Sequence, residues 1–406
     1  MAIYPKCRLI QISMISSSLL GTFPWQFLFQ DNKTFKNMYA MYSKLMLGHF
    51  TLFLFTAQLQ LWILITDEEL MRNAIFANLS VTFIYNITLA KQLIIMLNSN
   101  FRATIKQIIE TENCKSPIED DEVTNEIEFK MVQRSDKIVK CYGFLLIVLT
   151  ILFFVKPFLM TPTIVSIGNT TKVIRDLPIS SWLPFDEQEH YSYAYIWQVL
   201  NALQGSTYVA STDILMFNLI VFPAVQLRKL QHLLKNFAHY KEKVKTLYNI
   251  ADDEQAAKIT LVYFISRHME IIQYVRRFNE SMEIVMMFDF LQSSLHIASI
   301  LPEVLMSEFS VMVVLMVASF LVSMIFRLIL YYYHANNVMI LSAELSYSMY
   351  ESNWFDQTPK VQQMILIFML RAQEPLTLRF GGFGVMSIES MIAILKATYS
   401  YVMLMI

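Results

Sequence analysis

Lys91, Arg327 and Lys396 are basic side chains well inside long apolar stretches. Asp213 and Asp289 are acids in the same kind of surroundings. A charge deep in a bilayer costs at least ~2.5 kcal/mol unless it reaches water or a partner. Lys396 therefore has three readings: it faces an aqueous vestibule, it pairs with a buried acid such as Asp213 or Asp289, or it snorkels to the interface. A second group is Asn201, Gln204 and Tyr208, whose i, i+3, i+7 spacing places them on one helical face. That face can hold a ligand carbonyl or hydroxyl, or it can satisfy neighbouring helices. Enzyme chemistry finds no support. His296 and the membrane acids lack nucleophile–base spacing. Cys7, Cys114 and Cys141 form no CxxC or Cys/His metal cluster. No cofactor is expected.

These side chains need helices to position them. The chain has 406 residues, 55% hydrophobic and 16% charged, and its apolar residues come in blocks. A bilayer core of ~30 Å needs about 20 mostly apolar residues per helix. Blocks at 46–66, 75–97, 141–159, 196–222, 284–301, 311–331 and 386–405 meet that length. The expected fold class is therefore all-α, a polytopic membrane protein with seven transmembrane helices. A net charge of −1 offers nothing to nucleic acid.

Orientation follows from the basic residues. Of 32 Lys and Arg, 25 fall on one set of alternate connections and four on the other. The positive-inside rule then puts the N-terminus in the cytosol and the C-terminus outside. The sequon at Asn169 falls in an extracellular connection and is the expected glycosylation site. All three cysteines fall at or near the cytosolic side, so no extracellular disulfide is expected.

Residues 1–45 read as a cytosolic arm without a clear signal peptide. Gly21-Thr22-Phe23-Pro24-Trp25 reads as a turn with aromatic anchors at the inner interface. Residues 46–222 hold spans one to four. The acidic cluster Glu119-Asp120-Asp121-Glu122 reads as a solvated loop and helix start, with partner docking as the alternative. The proline-bearing connection at 160–192 is expected to fold over the outer mouth. Helical pattern runs from about 193 to about 240, with Pro223 as a kink. Residues 223–283 thus form a cytosolic helical extension, or anchor. Spans five and six occupy 284–331. Residues 332–385 comprise a further extension, a short anchor helix and a glycine hinge at Gly381, Gly382 and Gly384. Val361, Ile365, Phe368 and Met369 of the anchor helix need a packing partner, which marks it as an assembly element. Residues 386–406 form the last helix.

The strings Tyr350-Glu351-Ser352-Asn353-Trp354, Arg371-Ala372-Gln373-Glu374-Pro375-Leu376-Thr377-Leu378, Gly381-Gly382-Phe383 and Lys396-Ala397-Thr398-Tyr399-Ser400-Tyr401 closely resemble the C-terminus of insect odorant receptors. They cover about sixty residues, and the topology and length agree. The long second intracellular insertion of the coreceptor is missing, so the resemblance is to an odorant-tuned subunit. It implies a ligand-gated, non-selective cation channel, a tetramer formed with the odorant receptor coreceptor, in the plasma membrane of olfactory neuron dendrites. The partners so implied are the coreceptor, a small volatile, the lipid bilayer and conducted cations. The last helix would line the pore, with Leu404 at a hydrophobic constriction that gates by dewetting. Lys396, Ser400 and Tyr401 are the other pore candidates, although Thr398, Ser400 and the tyrosines also suit close helix packing.

The resemblance further implies a pocket in the outer half of the bundle, concave and apolar. The outer ends of the spans supply the candidates Ser80, Phe83, Ile84, Thr150, Phe153, Phe154, Asn201, Gln204, Tyr208, Leu315, Met316 and Ala318. A G-protein-coupled receptor is opposed by the inverted topology and by the lack of Asp-Arg-Tyr after span three. A gustatory receptor, from a related channel family, is the nearer rival. The Ser352-Asn353-Trp354 and Gln373-to-Thr377 strings favour the odorant branch.

Overall fold

The computed structural model describes residues 5, 7–30, 32–66, 72–159, 163–167, 170–175, 177–306, 311–382 and 384–405. Within these, the side chains of 72–74, 76, 77, 80, 163–167, 170–174, 292, 294–306, 311–313, 398 and 401–405 lie outside the description. The helices are α1 (Gln11–Leu19), α2 (Lys33–Thr66), α3 (Arg72–Leu97), α4 (Ser99–Asn113), α5 (Glu122–Leu159), α6 (Tyr191–Lys235), α7 (Phe237–Tyr248), α8 (Asp253–Met306), α9 (Val311–Tyr350), α10 (Pro359–Ala372) and α11 (Ile388–Met405). The seven apolar blocks fall in α2, α3, α5, α6, α8, α9 and α11. Among the described residues, four helices (α2, α5, α6, α9) are individually long and apolar enough to cross a membrane. Val81–Leu97 of α3 with α4, bent by 69°, makes a fifth when the pair is taken as one span.

α6 is the axis of the molecule. Its 45 residues extend about 68 Å at 1.5 Å per residue, more than twice a bilayer core. Every residue from Ser211 to Leu227 is buried. A helix covered on all sides belongs to a core, not to a lipid-facing shell. The helix continues through Pro223 and ends at Lys235, and α7 starts afresh at Phe237. The lipid-facing shell is visible elsewhere: Leu52, Phe55, Trp62 and Ile65 on α2 and Phe144, Ile147, Ile151 and Phe158 on α5 are exposed large apolar side chains. In water such stripes would drive association; in lipid they are the solvated surface.

Local chemistry sets the breaks. Asn98 caps α4, its Oδ1 accepting from the backbone N–H of Asn100 at 2.8 Å and Phe101 at 3.2 Å. α7 closes on Asn249 at φ +52°, a left-handed position that asparagine tolerates. Pro359 opens α10, where its missing N–H costs nothing. Gly21, at φ +73°, allows the turn before Phe23, which is fully buried. A short antiparallel pair, β3 (Arg379–Phe380) with β4 (Gly384–Val385), precedes α11; Gly384 opens β4, and Gly381 turns the chain after β3 at φ +60°.

Two cytosolic expectations are corrected. In the acidic cluster Asp120 and Glu122 are exposed and α5 starts at Glu122, as expected, but Glu119 is drawn into an internal junction. Glu119 is 4% exposed and meets Arg267 Nη2 at 3.0 Å and Lys229 Nζ at 4.0 Å. Lys229 also bonds Glu128 at 3.2 Å, and Tyr240 donates to Asp121 at 2.7 Å. Burial opposes ionisation of Glu128, but the Lys229 and Lys115 ammoniums hold its carboxyl below the usual range. α5, α6, α7 and α8 are tied together by these groups. The second correction concerns α10. Val361, Ile365 and Phe368 find their partners within the same chain, on α8 and α9. Full burial of each is worth about 1.5–3 kcal/mol. The face left exposed is the opposite one, Leu366, Ile367 and Leu370.

His268 on α8 packs edge-on against Phe368 of α10, ring centroids 5.4 Å apart, and is 2% exposed. Burial, with the nearby Arg371 charge, pushes its imidazole down to about 4. The unfolded chain takes up a proton there near pH 6.5 that the folded chain refuses until about 4. Stability that is complete above pH 6.5 is therefore lost as pH falls toward 4, by up to about 3 kcal/mol. Thermal melts of the purified protein should drop between pH 7.5 and 5, and His268→Leu should flatten that drop. An equal pH dependence in both proteins would contradict the assignment.

Candidate ligand cavity and its ionic floor

Four helices, α3, α5, α6 and α9, border a cavity of about 120 Å³. An apolar cavity of roughly 150 Å³ suffices to take up a benzene molecule. The walls are Val81, Ile84 and Tyr85 from α3, Leu146, Leu149, Thr150, Phe153 and Phe154 from α5, Ala202, Ser206 and Val209 from α6, and Phe320, Ser323 and Met324 from α9. Helical spacing explains the α9 set: 320, 323, 324 and 327 share one face. Ile179 enters from the connection before α6. That connection begins with the antiparallel hairpin β1 (Thr163–Ile167) and β2 (Thr170–Ile174). Its later part is pinned to the outer ends of three helices. Ile179 N donates to Gln198 Oε1 at 3.1 Å, Asn78 Nδ2 to the Ser180 carbonyl at 2.8 Å, and Trp182 N to the Thr56 carbonyl at 3.1 Å. The strap is thus part of the cavity wall.

The cytosolic end of the cavity is polar. Tyr142 and Arg327 line it there. Behind them lies a buried ionic quartet. Lys91 Nζ stands 2.8 Å from Asp213 Oδ1 and 2.6 Å from Asp289 Oδ2. Arg327 Nη1 stands 3.7 Å from Asp213 and 3.8 Å from Asp289. Tyr142 and Tyr331 donate to the two oxygens of Asp213, each at 2.9 Å, and Arg327 Nη2 donates to Ser293 Oγ at 3.0 Å. Two positive and two negative side chains, each no more than 7% exposed, come from α3, α6, α8 and α9. Pairing on this scale offsets the cost of burying charge, and removal of one member leaves the rest uncompensated.

Among the expected pocket residues, Ile84, Thr150, Phe153 and Phe154 line the cavity. Asn201, Gln204 and Tyr208 share a buried face, but it faces α2 and the helix itself. Gln204 contacts His49 Nδ1 at 2.5 Å and donates to the Met46 carbonyl at 2.9 Å. Asn201 donates to the Trp197 carbonyl of its own helix, and the Tyr208 ring packs on Phe50 at 4.9 Å. Gln204 thus satisfies a neighbouring helix, while the buried Asn201 Oδ1 has no hydrogen-bond partner among the described residues. Phe83, Leu315, Met316 and Ala318 lie off the cavity walls, the last three because α9 contributes one to two turns deeper than expected. The side chain of Ser80 lies outside the described residues. Lys396 pairs with neither acid: it is exposed, and Lys91 and Arg327 occupy Asp213 and Asp289. Ser400 is exposed and donates to the Lys396 carbonyl. The side chains of Tyr401 and Leu404, and residue Asn169, lie outside the described residues.

Sequence reasoning missed Tyr85, Tyr142, Ile179 and the deep α9 face. Arg327 carried a usable signal, being a lone basic residue in an apolar span. Gly205 was silent: a Cβ there would fall on the Tyr85 ring, so the glycine lets that wall residue lie against α6. A larger hollow of about 750 Å³ opens at the cytosolic surface among Arg8, Glu112, Lys115, Asp120 and Glu128. It is lined by charged side chains, so an apolar ligand gains little there; the smaller, mainly apolar cavity is the better site.

A family model described as 7tm Odorant receptor matches residues 72–399. Odorant receptor 10 of Aedes albopictus is 26% identical over 231 residues, 56% of this chain and 59% of that protein. Odorant receptor 82a of Drosophila melanogaster is 22% identical over 253 residues, 61% and 63% of the two chains. The matched stretch thus spans about three fifths of the length of these relatives. The fold is similar to that of the olfactory receptor OR5 from Machilis hrabei in complex with eugenol, with a TM-score of 0.76 at 16% identity over 98% of this chain and 96% of that one.

Lys91→Met should destabilise the bundle by about 3–5 kcal/mol, the cost of breaking a buried pair from one side. Lys91→Met with Asp289→Asn should recover much of it, because Arg327 and Asp213 remain balanced. Thermal unfolding in detergent measures both. A single variant as stable as the parent would show that the quartet does not hold the helices.

Proposed function

The chain belongs to the 7tm odorant receptor family, and from that membership we propose that it is an odorant-tuned subunit of a ligand-gated, non-selective cation channel. It binds a small volatile inside the bundle and works together with the family's coreceptor, as a hetero-oligomer in the plasma membrane of olfactory neurons. The observation that carries this reading is the apolar cavity between the helices and the hollow that leads on toward the last helix. The family is one of receptors and channels, so no catalytic role is assigned.

The walls suit an apolar guest. Burying ~250 Å² of ligand at ~25 cal/mol per Å² provides about 6 kcal/mol before the costs of binding. That magnitude fits recognition of volatiles at micromolar concentration and above. The polar end leads on toward the last helix. Asp289 and Ser293 belong to α8, and together with Arg327, Tyr332 and Phe290 they border a small hollow that also touches Met386, just before α11. Phe290 stacks on Phe380 of the hairpin below α11 at 4.5 Å. A ligand that displaces the cavity floor would thus act on α8 and α9, and through them on the root of α11. On this reading α11 lines the pore, Leu404 forms its apolar constriction, and Lys396, Ser400 and Tyr401 flank the route. Asn169 is the proposed glycan acceptor on the outer connection.

Expression with and without an insect coreceptor, with currents recorded against a panel of volatiles, tests this. A volatile should evoke current only when both chains are present, and Leu404→Ala should raise the unliganded leak at least twofold. Responses to sugars or bitter compounds in place of volatiles would move the chain to tastant-gated function. No response to any compound would remove the channel assignment.

A further inference from the structure

Tyr85 stands on the cavity wall, 7% exposed, and its hydroxyl has no hydrogen-bond partner among the described residues. We propose that this hydroxyl donates to the ligand, so that the cavity favours molecules carrying an acceptor oxygen, such as a carbonyl, on an otherwise apolar body. This rests on the chain being a volatile-gated channel, and it adds the ligand class and the residue that sets it.

The other hydroxyls of the wall are provided for. Thr150 donates to the Leu146 carbonyl at 2.8 Å, Ser206 to the Leu203 carbonyl at 3.1 Å and Tyr142 to Asp213 Oδ2 at 2.9 Å. Ser323 also lacks a partner among the described residues, but a helical serine can turn its proton back to a carbonyl of the preceding turn. A phenol cannot. Its oxygen is held at the far end of a rigid ring, away from its own backbone. Buried tyrosine hydroxyls normally find a partner, and one left without it costs stability.

The ring is also fixed in place. Phe50 and Phe53 of α2 pack on it, with centroids 5.7 and 5.8 Å away. On α6, Gly205 lets the hydroxyl end lie against the helix: a Cβ there would stand 2.5 Å from the Tyr85 oxygen. Ala202 and Val209, one turn to either side of Gly205, both line the cavity. The oxygen is thus held at the seam of α3 and α6, on the level of the cavity wall. A guest is the group that can take its proton. A neutral hydrogen bond of this kind is worth about threefold to tenfold in affinity. A hydrocarbon leaves the proton unmet.

Cyclohexanone and methylenecyclohexane share one ring and differ in the atom offered to that proton. Their hydration differs, so the readout is the change from parent to variant for each compound. In cells expressing the full-length receptor with coreceptor, Tyr85→Phe removes the oxygen and keeps the ring. It should raise the half-maximal concentration of the ketone at least threefold at equal surface expression. The alkene should act at the same concentration or a lower one. Without ligand, the purified variant should melt at the temperature of the parent or above it, since no bond within the protein is lost. Ser323→Ala should move both compounds by the same factor. An equal change for both compounds in Tyr85→Phe, a selective loss of the ketone in Ser323→Ala, or a parent that answers to the alkene alone overturns the proposal. A Tyr85→Phe variant that melts below the parent or fails to reach the surface also overturns it, because the hydroxyl then bonds the protein. If neither compound evokes current, thermal-shift titration of the purified receptor decides. A ketone shift that Tyr85→Phe reduces and an alkene shift that it leaves alone support the proposal; equal effects on both, or no shift with either, overturn it. Silence toward every volatile is instead the failure of the channel reading.

Discussion

Charge inside a bilayer must be balanced on the spot, and the quartet of Lys91, Asp213, Asp289 and Arg327 meets that constraint with four helices at once. Dispersion between apolar helices is tolerant of rotation and sliding, because lipid is as good a neighbour as another leucine. A buried ion pair is not tolerant. It specifies the depth and rotation of α3, α6, α8 and α9 relative to one another. Tyr142 brings α5 to the same point through its bond to Asp213. The cavity lies directly on the outer side of this junction and owes its polar floor to it.

The same arrangement repeats at the cytosolic end in a different solvent. α6 passes from one layer to the other without interruption and is buried in both. Around it, Glu119, Glu128, Lys229 and Arg267 join the inner ends of α5, α6 and α8 much as the quartet joins their membrane parts. The two junctions sit on the same continuous helices, α6 and α8. α10 closes the cytosolic layer by setting Val361, Ile365 and Phe368 into it. Its remaining apolar side, Leu366, Ile367 and Leu370, is left outward, which suits contact with another subunit.

Much of the fold was legible because solvent selects it directly. Apolar blocks marked the membrane helices, and the long periodic patterns around Lys229 and Tyr350 marked helices that leave the membrane. The cavity was legible only in part. Thr150, Phe153 and Phe154 could be chosen because orientation tells which end of a span is outer. The partner of each buried charge could not. Spacing along one helix shows that Asn201, Gln204 and Tyr208 share a face, but which neighbour that face meets depends on rotation about the helix axis. Lys396 was a reasonable partner for Asp213 by composition; Lys91 is the partner by azimuth and depth. Glu119 misled for a related reason, since a run of four acids looks solvated until distant cations are folded onto it. Gly205 and Ile179 had no signal at all, because their roles come from what packs against them.

Ligand binding in the cavity between α3, α5, α6 and α9 is the central claim, and occupying that space with protein tests it most directly. Val209 lines the cavity from α6. Val209→Trp, co-expressed with a coreceptor and counted at the surface by biotinylation, should reach the membrane in normal amount. It should require at least tenfold more of any volatile that opens the unaltered receptor. An unchanged concentration dependence at normal surface expression would place the binding site elsewhere.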